Sequence, residues 1–137
     1  MIIHGFITVR TSSTRLPNKC LLPLGENNIL TSVILRCIKY NIEPIVCTSV
    51  DSSDDIIEKI SRKLKVKCFR GSLENKLKRW LDTANKYNLK YFHTLDADDP
   101  FFCTKQIKKS INLLIKNKLD IVYPSLISSK GEASEGY

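Results

Sequence analysis

The chain has 137 residues, of which 42% are hydrophobic and 26% charged, with a formal net charge of +8. That balance fits a single globular domain and excludes a disordered chain, while apolar runs such as Val33-Ile34-Leu35 and Leu113-Leu114-Ile115 are far too short to cross a bilayer, so no membrane partner is expected. Nothing reads as a signal peptide, and Cys20, Cys37, Cys47, Cys68 and Cys103 show neither CxxC pairing nor histidine clustering, so a reducing cytoplasm is the expected compartment.

Met1 to Val9 carries a short β-rich apolar run, Ile2-Ile3-His4-Gly5-Phe6-Ile7, of the kind that forms a strand buried on both faces. A polar, basic loop follows it. Leu30, Val33, Ile34, Cys37 and Ile38 then recur at helical spacing over Ile29 to Tyr40, and the β-branched run Ile45-Val46-Cys47-Thr48 after Pro44 predicts a second strand. Ser52 and Asp55 have the spacing of a capping box, and Ile57, Ile60 and Leu64 make the stripe of a second helix before a strand over Val66 to Phe69. From Leu73 onward, Leu77, Trp80, Leu81 and Ala84 predict a third helix, followed by a strand over Lys90 to Leu95 and an acidic turn over Asp96 to Pro100. Thr104 is the expected cap of a fourth helix with Ile107, Ile111, Leu114 and Ile115 inward. Asp120-Ile121-Val122-Tyr123 reads as a fifth strand, and Ser128 to Gly136 as the one linker-like stretch.

Strands that alternate with helices require crossover connections, so the expected fold is α/β: a doubly wound, mostly parallel sheet in a Rossmann-like three-layer sandwich. In such sheets ligands bind outside the carboxyl ends of the strands. The loops after Val9, Thr48, Phe69 and Leu95 are therefore expected to converge on one crevice.

Arg10-Thr11-Ser12-Ser13-Thr14-Arg15-Leu16-Pro17-Asn18-Lys19 places three cations among hydroxyl side chains directly after the first strand. Guanidinium groups bind phosphate oxygens bidentately, a lysine acts as a point charge, and small residues let backbone amides approach an anion. The glycines of a Walker A loop or a GxGxxG fingerprint are absent. From composition alone, a solvated basic turn is the commoner outcome. Asp96, Asp98 and Asp99 put three carboxylates at another strand end, which suits Mg²⁺ held by one or two carboxylates plus substrate phosphates, although an Asp-rich turn before Pro100 explains them equally well. Arg70-Gly71-Ser72 with Asn75 and Arg79 offers polar groups and a close backbone approach after the third strand, or simply a helix cap at Ser72. Thr48 and Ser49 end the second strand. His4 and His93 read as packed, and Trp80 as helix core.

Arg-x-x-Ser-Thr-Arg-Leu-Pro-x-Lys after a strand, followed by Leu22-Pro23-Leu24-Gly25, resembles the spore-coat polysaccharide type of cytidylyltransferase, a relative of the CMP-sugar-acid synthetases. The resemblance implies that the loop wraps the triphosphate of CTP, with Arg10, Ser13, Arg15 and Lys19 on phosphates and Thr11, Ser12 and Thr14 in the nucleotide-binding set. It likewise implies that Asp98 binds Mg²⁺ with Asp96 and Asp99 in support, and that Thr48, Arg70, Gly71, Ser72 and Asn75 lie near the nucleoside. Thr8-Val9 stand where the family often has Gln-Ala, and Ser12, Asn18 and Ala97 where it has Gly; Asn tolerates the left-handed backbone that such a Gly marks.

The activity implied is transfer of CMP from CTP to a sugar or sugar-acid acceptor with loss of pyrophosphate, in polysaccharide biosynthesis. Arg10, Arg15 and Lys19 are the catalytic cations, and no general base stands out. Residues 1–137 read as one nucleotide-binding domain, truncated against full-length members, whose later segment supplies acceptor contacts, a second metal-binding Asp and much of a homodimer contact. A CTP-binding module without turnover is one rival. A basic nucleic-acid-binding protein is the other, but its lysines over Lys59 to Lys67 and Lys105 to Lys118 alternate with apolar residues as solvated helix faces do, and no aromatics interleave with them as a stacking platform requires, so no nucleic-acid partner is expected.

Overall fold

The computed structural model describes residues 2–123. Its elements in chain order are β1 (Ile3–Thr8), β2 (Pro23–Leu24), β3 (Asn27–Asn28), α1 (Ile29–Lys39), β4 (Ile42–Ser49), α2 (Asp55–Lys63), β5 (Lys67–Gly71), α3 (Lys76–Lys86), β6 (His93–Asp96) and α4 (Thr104–Lys116). Short 3-10 turns cover Lys19–Leu21 and Ser52–Asp54.

Four strands form one parallel sheet in the order β5-β4-β1-β6. The order runs outward from β1 in one direction and then jumps to its other side for β6, so the connection reverses between β1 and β6. That is the switch point at which a crevice opens above the sheet. Within β4, pairing to β5 starts at Ile45, one residue after Pro44. Pro44 therefore stands where the strand has one free edge, which tolerates a residue with no N–H.

Alternation along the strands divides the apolar residues between two layers. Ile3, Ile7, Val9, Ile42, Val46 and Leu95 face the larger core with Leu30, Val33, Ile34 and Cys37 of α1, Ile57 of α2, and Ile107 and Ile111 of α4. Phe6, Ile45 and Cys47 face the opposite side with Ala84 of α3, joined by Trp80, Tyr87, Leu89 and Phe92. Phe6 and Phe92 stack with ring centroids 4.1 Å apart. The sandwich thus has helices on both faces. Gly5 is required where β1 is most crowded, because a Cβ there would meet Ile42 at 2.9 Å and Leu95 at 3.1 Å.

Each helix is followed by a non-glycine residue in the left-handed region, Asn41, Lys65, Asn88 and Lys118, with φ of 58, 57, 52 and 53°. Asn18 adopts φ 57° in the basic loop, as its residue type allows.

Several expectations need correction. Asp120 to Tyr123 forms no strand: Ile121 and Tyr123 are more than half exposed and no neighbour pairs with the segment, so four strands rather than five make the sheet among the described residues. The loop before α1 contains the small antiparallel pair β2 and β3, turning at Gly25 with φ 61°. Asp51, not Ser52, caps the turn before α2 through Ser53 N. Asn75, not Ser72, caps α3, and Thr104 is the first residue of α4 rather than a side-chain cap. In α3 the buried residues are Arg79, Thr83 and Ala84, while Leu77 and Leu81 are exposed at 70% and 60%. The linker-like stretch Ser128 to Gly136 lies outside the described residues.

Candidate active site

The carboxyl ends of β1, β4, β5 and β6 are linked to one another by side-chain bonds. Between β1 and β4 stands Asp54, fully buried. Its Oδ1 accepts from Thr11 N at 2.7 Å and Thr11 Oγ1 at 2.8 Å, while Oδ2 accepts from Ser49 N at 3.3 Å and from the Ser49 hydroxyl. Burial alone would raise the Asp54 pKa; the bonds from Ser49 and Thr11 outweigh it, and the net direction is down from the ordinary carboxylate value. The Thr11 carbonyl accepts from Ser13 N and Asn18 N, both at 2.9 Å, which closes the basic loop into a compact turn.

Between β1 and β6, Lys19 reaches out of that turn to the Asp98 carboxylate. The Asp98 turn is itself held from α1, since Arg36 donates from Nε and Nη2 to the Phe102 carbonyl, both at 3.1 Å. Asp96, the last residue of β6, accepts from Lys76 of α3 at 3.2 Å. Asp99 turns inward: burial raises its pKa, and its Oδ1 is buried without a hydrogen-bond partner.

Between β1 and α3 lies a cavity of about 240 Å³ lined by Thr8, Val9, Arg10, Leu73, Glu74, Lys76 and Arg79. Arg10 Nη1 donates to the Leu73 carbonyl at 3.2 Å, and Trp80 Nε1 donates to Thr8 Oγ1 at 2.8 Å. Arg79 is only 2% exposed; its Nη1 donates to the Ser72 carbonyl at 2.6 Å and its Nε has no hydrogen-bond partner among the described residues. Burial pulls the Arg79 pKa down from the ordinary arginine value, with Arg10 adding to the effect, yet a guanidinium stays charged in a protein. Gly71 makes room for this side chain, because a Cβ there would meet Arg79 Cγ at 3.3 Å and the Phe69 ring at 2.7 Å. The arrangement is a cationic cleft with an acidic edge, suited to an anionic ligand that also carries a metal.

The expected site residues separate accordingly. Arg10 lines the cavity, and Ser12, Thr14 and Arg15 are exposed on the turn, Arg15 with no hydrogen bond or ion pair among the described residues. Ser13 Oγ accepts from Leu16 N at 3.4 Å, and Lys19 meets Asp98. Thr11, by contrast, directs both its N–H and its hydroxyl to Asp54. Thr48 is fully buried, and Arg70 faces α2, bonded to Asp55 at 2.7 Å, Glu58 at 3.0 Å and the Ser49 carbonyl at 2.9 Å. Neither lines the cleft. Ser72 and Asn75 bond each other at the start of α3. Asp54, Lys76 and Glu74 were missed; the acidic run Asp51 to Asp55 directly after a strand was the available signal for the first.

Mg²⁺ fits this donor set. Asp96 and Asp98 present ionic oxygens at one strand end and each already holds an ammonium, while no group of three or more His, Cys, Asp or Glu among the described residues forms an all-protein cage. One or two carboxylates completed by phosphate oxygens is how this hard cation is commonly bound. Burial pushes the free thiols of Cys37 and Cys47 up to about 12 and that of Cys20 to about 11, so these three offer no thiolate nucleophile. Among the described residues no helix is long and apolar enough to cross a membrane.

Residues 5–133 match the cytidylyltransferase family. The chain belongs to that family. It is 34% identical over 124 residues to the uncharacterized protein MJ1063 of Methanocaldococcus jannaschii, covering 89% of this chain and 51% of that protein. It is also 34% identical over 101 residues to the spore coat polysaccharide biosynthesis protein SpsF of Bacillus subtilis, covering 69% and 42% respectively. Among solved structures, a cytidylyltransferase of Leptospira borgpetersenii superposes with a TM-score of 0.78 at 32% identity, over 90% of this chain and 52% of that one. A CMP:2-keto-3-deoxy-manno-octonic acid synthetase solved with CTP superposes with a TM-score of 0.70 at 18% identity, over 85% and 48%, a likeness of fold. The chain spans about half the length of the proteins it matches.

Proposed function

We propose that the chain carries the CTP site of an enzyme that transfers CMP from CTP to a sugar or sugar-acid acceptor and releases pyrophosphate. The observation that supports the reading is the contact of Lys19 with Asp98 across the β1–β6 switch point, which brings the cationic turn against the acidic strand end. Arg10, Arg15 and Lys19 bind the triphosphate and offset charge that develops on the leaving pyrophosphate as an acceptor oxygen attacks the α-phosphorus in line. Asp98, supported by Asp96, would hold Mg²⁺, which would supply further neutralisation of the phosphate oxygens. Lys19 and Lys76, paired here with Asp98 and Asp96, are the further cations that would meet the phosphates. The cavity beside Arg10 receives the nucleoside.

Free thiols and a CTP substrate support a cytoplasmic setting, and a match to about half the length of the relatives supports residues 1–137 as a nucleotide-binding domain. Thermal-shift measurement with each of the four nucleoside triphosphates and Mg²⁺ tests the assignment, because a ligand stabilises with the logarithm of its concentration over Kd. CTP is expected to give the largest shift, and Arg15→Ala to abolish it. Equal shifts from all four triphosphates would overturn the cytidylyl assignment. Pyrophosphate release in the presence of acceptor separates turnover from binding alone.

A further inference from the structure

Asp54 belongs to neither the basic turn nor the acidic strand end, yet it is the buried ionic group through which the turn is fastened to the sheet. Four donors converge on its two oxygens: the amide and hydroxyl of Thr11 on one, the amide and hydroxyl of Ser49 on the other. A fully buried carboxylate is tolerated only where such donors replace its water. Thr11 is in turn the hub of the loop, since its carbonyl takes the amides of Ser13 and Asn18 and so closes the turn that carries Arg15 and ends at Lys19. The partners are 43 residues apart in sequence, and no other side chain fixes the Thr11 amide. Ser49 ends β4, the central neighbour of β1, so the rigid reference for the loop is the sheet itself.

We infer that Asp54 is a positioning residue for triphosphate binding: it fixes Thr11 and, through the Thr11 carbonyl, the backbone course of the turn that presents Arg15 and Lys19. The inference rests on reading the 10–19 turn as the triphosphate holder. Asp54 itself touches no ligand. Its loss leaves every cation of the turn in place but lets them sample many arrangements, so the ligand must order the turn on binding and affinity falls by that cost. The Thr11 N–H is also withdrawn from the anion by this bond, leaving phosphate to the groups further along the turn.

The test compares the parent chain with Asp54→Ala, Asp54→Asn and the core control Ile111→Ala, whose side chain borders the opposite end of the sheet with Ile2, Ile3 and His4. Titration calorimetry measures affinity for Mg²⁺·CTP and for inorganic tripolyphosphate, and hydrogen exchange follows the amides of Thr11, Ser13 and Asn18. Asp54→Ala is expected to expose all three amides and to weaken both ligands by about ten- to a hundredfold, the range for losing hydrogen bonds to a charged group. Asp54→Asn keeps one acceptor oxygen and turns an NH₂ towards donors, so an intermediate loss is expected; it also decides the matter if Asp54→Ala does not fold. Ile111→Ala should lower thermal stability while leaving both affinities and the three amides as in the parent at a temperature where it is folded. Parent-like affinity and exchange in the Asp54 variants, or an equal loss of affinity in Ile111→Ala, would sink the positioning role. A parent chain that takes tripolyphosphate but not CTP would overturn the cytidylyl reading and leave the role of Asp54 standing.

Discussion

The two faces of the sheet differ in what they bury. One face is covered by α1, α2 and α4 over a continuous aliphatic core, whereas α3 alone, among the described residues, covers the other over a small aromatic cluster and carries the buried Arg79 and Thr83. The cavity beside Arg10 opens on the α3 side. Stability and ligand chemistry are thus partitioned: dispersion and apolar burial hold the molecule from one face, and the other gives up apolar packing to keep a guanidinium, an ammonium and an indole N–H at the cleft.

This partition can be broken or sharpened by substitution. The largest effect is expected for Ile34→Ala on the aliphatic face, a loss of about 3 kcal/mol in denaturant unfolding from a fully buried site. CTP affinity should be unchanged at temperatures where the variant is folded, and a substantial loss would break the comparison. Next comes His93, which faces the same side as Leu95 and whose pKa burial pushes down to about 4. The unfolded chain binds this proton near pH 6.5 and the folded chain does not, so between those values the unfolded state holds more protons and stability falls as pH is lowered, by on the order of 2 kcal/mol. Melting curves across pH 4 to 7 should lose that slope in His93→Leu. On the α3 face, Trp80→Phe removes the donor to Thr8 and should cost about 1 kcal/mol, with weakened CTP binding beside it. Leu81→Lys on the exposed side of α3 should change stability by less than about 0.5 kcal/mol by chemical denaturation, and a larger loss would mean that this side is packed.

The same partition explains which parts were legible in the sequence. Continuous apolar runs revealed β1 and β4, which are buried on both faces, and helical periodicity revealed α1 and α2, whose buried stripes face the aliphatic core, where apolar identity is the whole requirement. In α3 the rule misassigned Leu77 and Leu81: the inward positions are taken by Arg79 and Thr83, whose polar groups bond the Ser72 and Arg79 carbonyls, so hydrophobicity pointed to the wrong stripe. Asp120 to Tyr123 has strand composition, but pairing is a long-range property that composition does not contain. The positions of Lys19 and Asp98 just past the ends of β1 and β6 were enough to anticipate their contact, because the strand ends of a parallel sheet lie together. Asp54 was hidden because its local run reads as a helix cap and its decisive partner is Thr11, far upstream. Arg70 looked available for the same reason, its acidic partners on α2 being invisible in a linear reading.

None of the four helix stops is a glycine. Asn41, Lys65 and Asn88 hold the left-handed backbone between a helix and the amino end of the strand that follows it, and Lys118 holds it just past α4. At Lys65 and Lys118 an ordinary side chain pays a steric penalty of up to about 1 kcal/mol that glycine would not. Heat resistance in this chain is therefore an engineering variable separable from its chemistry: glycine at Lys65 and Lys118 is expected to raise the melting point while every residue lining the cleft stays as it is.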